Sequence, residues 1–169
     1  MADDSSEDLA GNDLSFVGSL ADLEHQHGEG RGRYLAAPLG KALGLTHFGV
    51  NHETIFPGGR SSLPHAHSDD EEFVFVMEGR PTLWVDGTVR ELAVGDAIAF
   101  PAGSGIAHSF INDSDEPVKL LIVGEHSSED RLSYPVNPEV RHPRPWTDAP
   151  VRQLGPHDGR PRRRPATDA

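Results

Sequence analysis

Residues 59–79 run GRSSLPHAHSDDEEFVFVMEG, a His-Ala-His triplet joined by a short acidic turn to an alternating apolar run. Side chains on an extended strand alternate faces, so His65 and His67 project to one side. Glu72, Val74 and Val76 share a face of the next segment, and Phe73, Phe75 and Met77 point the other way. Neutral imidazole and carboxylate are the ligands that Fe, Mn, Ni, Co and Zn have in common, so this spacing points to a metal. Glu71 competes with Glu72 for the role but falls on the Phe73 side of the strand. Asp69 and Asp70 occupy the turn and are expected to be solvated.

A third imidazole comes from a second punctuated stretch. Gly95 is followed after five residues by Pro101, then come Gly105, two residues, His108, three residues and Asn112. His108, Phe110 and Asn112 share one strand face. If the inward faces line a single barrel, His65, His67, Glu72 and His108 converge over a floor of Val74, Val76 and Phe110. Without a metal, burying that many polar groups unpaired would cost about 1–3 kcal/mol for each. A divalent cation removes most of that penalty.

The two stretches resemble the two consensus motifs of the cupin superfamily. In the first, Gly59, His65, His67, Glu72 and Gly79 stand at the family's spacing. The second departs from it by two extra residues between Pro101 and Gly105. The wider stretch 48–134 is similar to small single-domain bacterial cupins. This resemblance implies an all-β fold, a cupin (jelly-roll) β-barrel, with His65, His67, Glu72 and His108 holding one divalent transition metal (Fe, Mn, Ni, Co or Zn). It also implies cupin chemistry: dioxygenation, oxidative decarboxylation, or isomerase and lyase reactions of sugars and small carbonyl compounds.

The strand pattern agrees. Short β-rich runs at 48–56, 62–67, 72–77, 82–85, 97–100, 108–112 and 118–123 alternate with turns such as Pro57-Gly58-Gly59, Asp86-Gly87 and Gly95-Asp96. Regular short strands of this kind mark a sandwich or barrel. No convincing long helix interrupts them, which excludes a parallel βαβ architecture. Small barrels leave an interior wide enough for one small ligand.

A chain of 169 residues exceeds the common domain size of about 100–150. The surplus lies at the ends. Residues 1–32 carry eight acids against Arg31 alone, a net charge of −7, and form an acidic, largely disordered arm. Residues 33–134 are the barrel. Residues 135–169 are a Pro/Arg-rich tail with seven arginines against four acids. Leu14, Val17, Leu20 and Ala21 recur at helical spacing behind Asp13 as a cap, so a short helix is expected between 13 and 24. His25 and His27 are read as surface histidines, and Arg162, Arg163 and Arg164 as part of a solvated tail.

A formal net charge of −12 disfavours nucleic acid and anionic membrane as partners. The absence of cysteine removes thiolate chemistry and fits a cytoplasmic location. The opening residues lack the basic and apolar regions of a secretory signal. Three large apolar side chains on an outer face, Phe73, Phe75 and Met77, suggest that it is covered by a second subunit or by one of the arms, and a homodimer is expected. On the strand entering the first motif, either His52 or its neighbours Asn51 and Glu53 face the interior, not both. Tyr34, Trp84, Tyr134 and Trp146 receive no role. The visible interior types favour a small, partly apolar ligand such as an organic acid or sugar derivative. The function expected is therefore a small metalloenzyme, with a non-catalytic binding module as the alternative.

Overall fold

A computed structural model describes residues 17–27 and 33–163. Its strands are β1 (Gln26–His27), β2 (Tyr34–Ala37), β3 (Phe48–Ile55), β4 (Ala66–His67), β5 (Glu72–Glu78), β6 (Thr82–Val85), β7 (Thr88–Glu91), β8 (Ala97–Phe100), β9 (His108–Ile111), β10 (Val118–Glu125) and β11 (Leu132–Ser133), with one short helix α1 (Leu39–Ala42). A six-stranded antiparallel sheet has the order β1-β2-β3-β10-β5-β8. The opposing layer is made of β7-β6-β9 and β11-β4. An isolated bridge between His65, next to β4, and His108 of β9 ties its two parts together, and a second joins Arg60 to Ile111 of β9.

The alternation read from the sequence is realised on β5. Val74 and Val76 are fully buried, whereas Phe73, Phe75 and Met77 are exposed. Between the layers Ile55, Val74, Val76, Val118 and Leu120 of the large sheet pack on Leu83 and Phe110 of the small one. Asp86 and Gly87 both take positive φ, 45° and 81°. That is the backbone an Asp-Gly hairpin uses to join β6 and β7 with the right twist.

The strand expected at 62–67 shrinks to Ala66–His67. Pro64 has no N–H to give to a ladder, and His65 joins the layer through a single bridge to His108. Of the helix expected between 13 and 24, the part within the described residues is one 3₁₀ turn, Leu20–Asp22, and its N-cap is Ser19, whose hydroxyl accepts from the Ala21 N–H. Gly18, Ser19 and Asp22 are weak helix formers, and a segment this short does not offset the cost of nucleating an α-helix. Asp13 and the acidic leader lie outside the described residues. β1, β2, β7 and β11 went unforeseen, being short or without an apolar face. The described residues contain no helix long and apolar enough to cross a membrane.

The C-terminal segment packs on the body. Trp146 joins Ala66, Trp84, Ala107 and Ile111 in a second apolar cluster on the far side of the small layer. The Trp84 indole N–H donates to the His157 carbonyl at 2.7 Å, and Arg60 Nη1 donates to the Gly159 carbonyl at 2.8 Å. The expectation for the arginine triplet changes accordingly. The backbone N–H groups of Arg162 and Arg163 both donate to Asp113, and the Arg163 guanidinium pairs with Asp115. Arg164 lies outside the described residues.

Candidate metal centre

His65 stands at the bridge to β9, His67 on β4, Glu72 at the start of β5 and His108 at the start of β9. One ligand atom from each of the four lies within 4.8 Å of every other. His65 Nε2 and His67 Nε2 are 3.1 Å apart, and His108 Nε2 is 3.1 Å from Glu72 Oε1. Phe100 stacks on the His108 ring at 3.6 Å between centroids and fixes its plane.

The other ring nitrogens settle the tautomers. His65 Nδ1 donates to the Leu63 carbonyl at 2.8 Å, His108 Nδ1 to the Ile106 carbonyl at 3.3 Å, and His67 Nδ1 to Asp130 Oδ2 at 2.7 Å. Each partner is an acceptor, so each Nδ1 carries the hydrogen and each Nε2 presents a lone pair. Two lone pairs facing each other at 3.1 Å, with a third against a carboxylate, repel unless a cation sits among them. The donor set therefore fits a metal ion of the imidazole- and carboxylate-binding kind.

Electrostatics agree. Burial pushes the His65 imidazole down to about 3, reinforced by His108 and His67, so it stays neutral as a ligand must. Burial alone would raise the Glu72 carboxyl, but the surrounding His108, His65 and His67 side chains outweigh it and hold Glu72 below its usual range.

The rival Glu71 is exposed and stands outside the cluster, while its backbone N–H donates to Glu125. Val74, Val76 and Phe110 are buried beneath the ligands. Asp70 is not simply solvated, since it accepts from the Ser127 N–H at 2.9 Å and so fastens the turn. Asn112 closes the second motif structurally, donating to the Ile55 and Glu116 carbonyls. The two extra residues before Gly105 form a loop that touches the site from outside, with Gly103 N–H donating to the His67 carbonyl at 3.2 Å.

Register decides the question left open on β3. Glu53 pairs with Leu120, which pairs with Val76, and Asn51 stands in the row of Ile122 and Val74. These are inward rows. His52 lies in the outward row of Leu121 and Phe75. Trp84 and Trp146 hold the tail, whereas Tyr134 tilts against the His65 ring at 6.0 Å.

Asp130 escaped the sequence reading. It sits beyond β10, 63 positions from His67, and its other oxygen accepts from the Asp69 and Asp70 N–H groups. A carboxylate on the far nitrogen of a metal-binding histidine orients the ring and raises its basicity. The one signal in the sequence was an acid in a polar loop, which is too common to single out.

Comparison with known proteins follows the same lines. The family model described as "Cupin domain" matches residues 51–124. A sugar phosphate isomerase of the cupin superfamily from Silicibacter pomeroyi superposes with a TM-score of 0.65 at 35% identity, over 69% of this chain and 79% of its own. A protein of Acidithiobacillus ferrooxidans, provisionally named a sugar phosphate isomerase, gives 0.67 at 30% identity, over 73% and 83%. An uncharacterized protein of Methanocaldococcus jannaschii is 33% identical over 69 residues, 41% of this chain, and the match spans 54% of that curated relative's length. Matched family motifs, the two-layered β-barrel and these relatives agree, and the chain belongs to the cupin superfamily.

Proposed function

We propose that this cupin is a metal-dependent enzyme of the isomerase type, acting on a small hydroxy-carbonyl compound or sugar derivative. The carrying observation is the inward meeting of three Nε2 lone pairs and one carboxylate oxygen within 4.8 Å. Two relatives at 35% and 30% identity bear sugar phosphate isomerase names, which favours isomerisation over the oxygenase and decarboxylase chemistries. The ligands would be His65, His67, Glu72 and His108. When bound, a divalent ion supplies a Lewis acid that polarises substrate oxygens, with coordination positions left over for them. The protein's part is to hold the ligand rings in one tautomer, with Leu63, Ile106 and Asp130 as their acceptors, and to exclude bulk water with Phe100 and Phe110. Among the described residues no lysine or arginine stands on the inward rows of the large sheet; Arg90, in the row of Leu83 and Phe110, is exposed at the edge of the small layer, and Arg60 reaches the Gly159 carbonyl. A small sugar derivative therefore suits this interior better than a multiply phosphorylated one.

The same reading takes the outer face of the large sheet as a homodimer surface. Phe48, Phe73, Phe75 and Met77 are 44%, 42%, 36% and 46% exposed there. A contiguous apolar row of this size is uncommon on a monomer.

Elemental analysis of the purified chain tests the metal. Near-stoichiometric transition metal is expected, and His65→Ala and His108→Ala should lose it while keeping the wild-type circular dichroism spectrum. Metal retained by both variants would sink the ligand assignment. Metal present in wild type, with no isomerisation of hydroxy-aldehydes or hydroxy-ketones, would favour the binding module instead.

A further inference from the structure

We infer that Glu53 is the acid–base residue of this site, placed to exchange a proton with a small hydroxy-aldehyde or hydroxy-ketone held at the metal ligands. The inference rests on the isomerase reading and names the group that reading lacks. Moving a carbonyl to the neighbouring carbon requires one hydrogen to leave a carbon and another to arrive on the next, so a proton carrier must face the substrate.

The ligand residues are not available for this. His65, His67 and His108 give their Nδ1 hydrogens to Leu63, Asp130 and Ile106, and their Nε2 atoms meet with Glu72 at the centre. The other ionisable side chains on the described inward rows of the large sheet are Glu53 and Tyr34, in the rows of Val76 and of Ile55. Burial and the Glu53 charge keep the Tyr34 hydroxyl protonated, which leaves Glu53.

Glu53 is only 6% exposed, and its Oε1 has no hydrogen-bond partner. Buried polar atoms are almost always paired, and an unpaired carboxyl oxygen weakens the fold that contains it. It lies inward on the same sheet as Glu72, whose charge it feels. Burial first and that charge second push its carboxyl up to about 8, so both protonation states are accessible near neutrality.

The step balances without oxidant or reductant. Ionised Glu53 takes the hydrogen from the hydroxyl-bearing carbon beside the carbonyl, the C–H electrons become the C=C bond, and the C=O π electrons move onto the carbonyl oxygen, which takes the proton of the adjacent hydroxyl to leave an enediolate. The neutral acid then returns its proton to the former carbonyl carbon as the deprotonated oxygen forms the new C=O, which regenerates ionised Glu53.

The test uses the full chain loaded with zinc, which has no redox chemistry. In infrared difference spectra the protonated-carboxyl band of Glu53, identified by its loss in Glu53→Gln, should shift when acetohydroxamate, a planar enediolate mimic, is added. A band that is missing from wild type, or that does not move, overturns the inference. In deuterium oxide, wild type should place deuterium on carbon in glyceraldehyde or dihydroxyacetone, and Glu53→Gln should do so about 100-fold more slowly. Its zinc content should be unchanged and its melting temperature equal or higher, which removes misfolding as an explanation. Exchange by Glu53→Gln at the wild-type rate would overturn the role of Glu53 and leave the isomerase reading standing. A shifting band with no exchange in wild type supports the contact between Glu53 and the bound molecule and counts against the isomerase reading.

Discussion

Asp130 accepts from His67 Nδ1 with one oxygen and from two backbone N–H groups with the other, so one side chain joins the loop after β10 to the His67 ring and the turn beside it. Replacing it with Asn keeps the shape but removes the anion. Metal affinity should fall about 10–100-fold, measured by chelator competition, with a smaller change in the melting of the metal-free chain. Two further residues set the pH dependence of stability. Native Glu53 keeps a proton that the unfolded chain releases above 4.5, so its contribution is whole below that pH and is lost as pH rises to about 8. Native His65, lowered to about 3, refuses a proton that the unfolded chain accepts below 6.5, so stability falls as pH drops through that window. The two slopes oppose each other between 4.5 and 6.5, and above 6.5 the Glu53 slope stands alone. Urea unfolding of metal-free wild type should therefore weaken from pH 6.5 to 8. Glu53→Gln should stay flat there and end more stable by an amount on the order of 2 kcal/mol, at roughly 1.4 kcal/mol per pH unit. A wild-type curve that is also flat in that range would contradict the burial assigned to Glu53.

Among the described glycines, Gly87 in the turn joining β6 and β7 makes the closest approach to another backbone segment. A Cβ on Gly87 would stand 2.3 Å from the Gly155 carbonyl oxygen, and Gly87 has a φ of 81°. Gly87→Ala should destabilise the protein by roughly 2 kcal/mol or more, seen as a lower denaturant midpoint, since neither the turn nor the tail can yield. The Asp-Gly pair was legible as a turn, but its second function was not, because the partner glycine lies in a tail with no periodic pattern. The same distinction holds for the centre itself. His65, His67, Glu72 and His108 were readable because strand alternation converts spacing into direction, and the inward Val74 and Val76 came with them. Asp130 was not, because loop geometry rather than alternation aims it. Glu53 fell between these cases, since alternation showed that it opposes His52 and only the pairing with β10 and β5 showed which of them faces in.

Outside the barrel, the arms finish what the two sheets begin. β1 and β2 extend the large sheet past β3, and the C-terminal segment covers the small layer, so charge at the ends, conspicuous in the sequence, was a poor guide to packing. The outer face of the large sheet stays uncovered around Phe73 and Phe75. If two copies meet there, the double variant Phe73→Glu/Phe75→Glu should sediment as a monomer where wild type sediments as a dimer, with metal content retained. An unchanged sedimentation coefficient would place any interface elsewhere. The tail carries a consequence for the making of the protein. The Trp84 indole donates to the His157 carbonyl and Arg60 Nη1 to the Gly159 carbonyl, so neither bond can form while those codons are still unread. A nascent chain stalled before those codons would leave the Trp84 indole without this acceptor and open to chaperones.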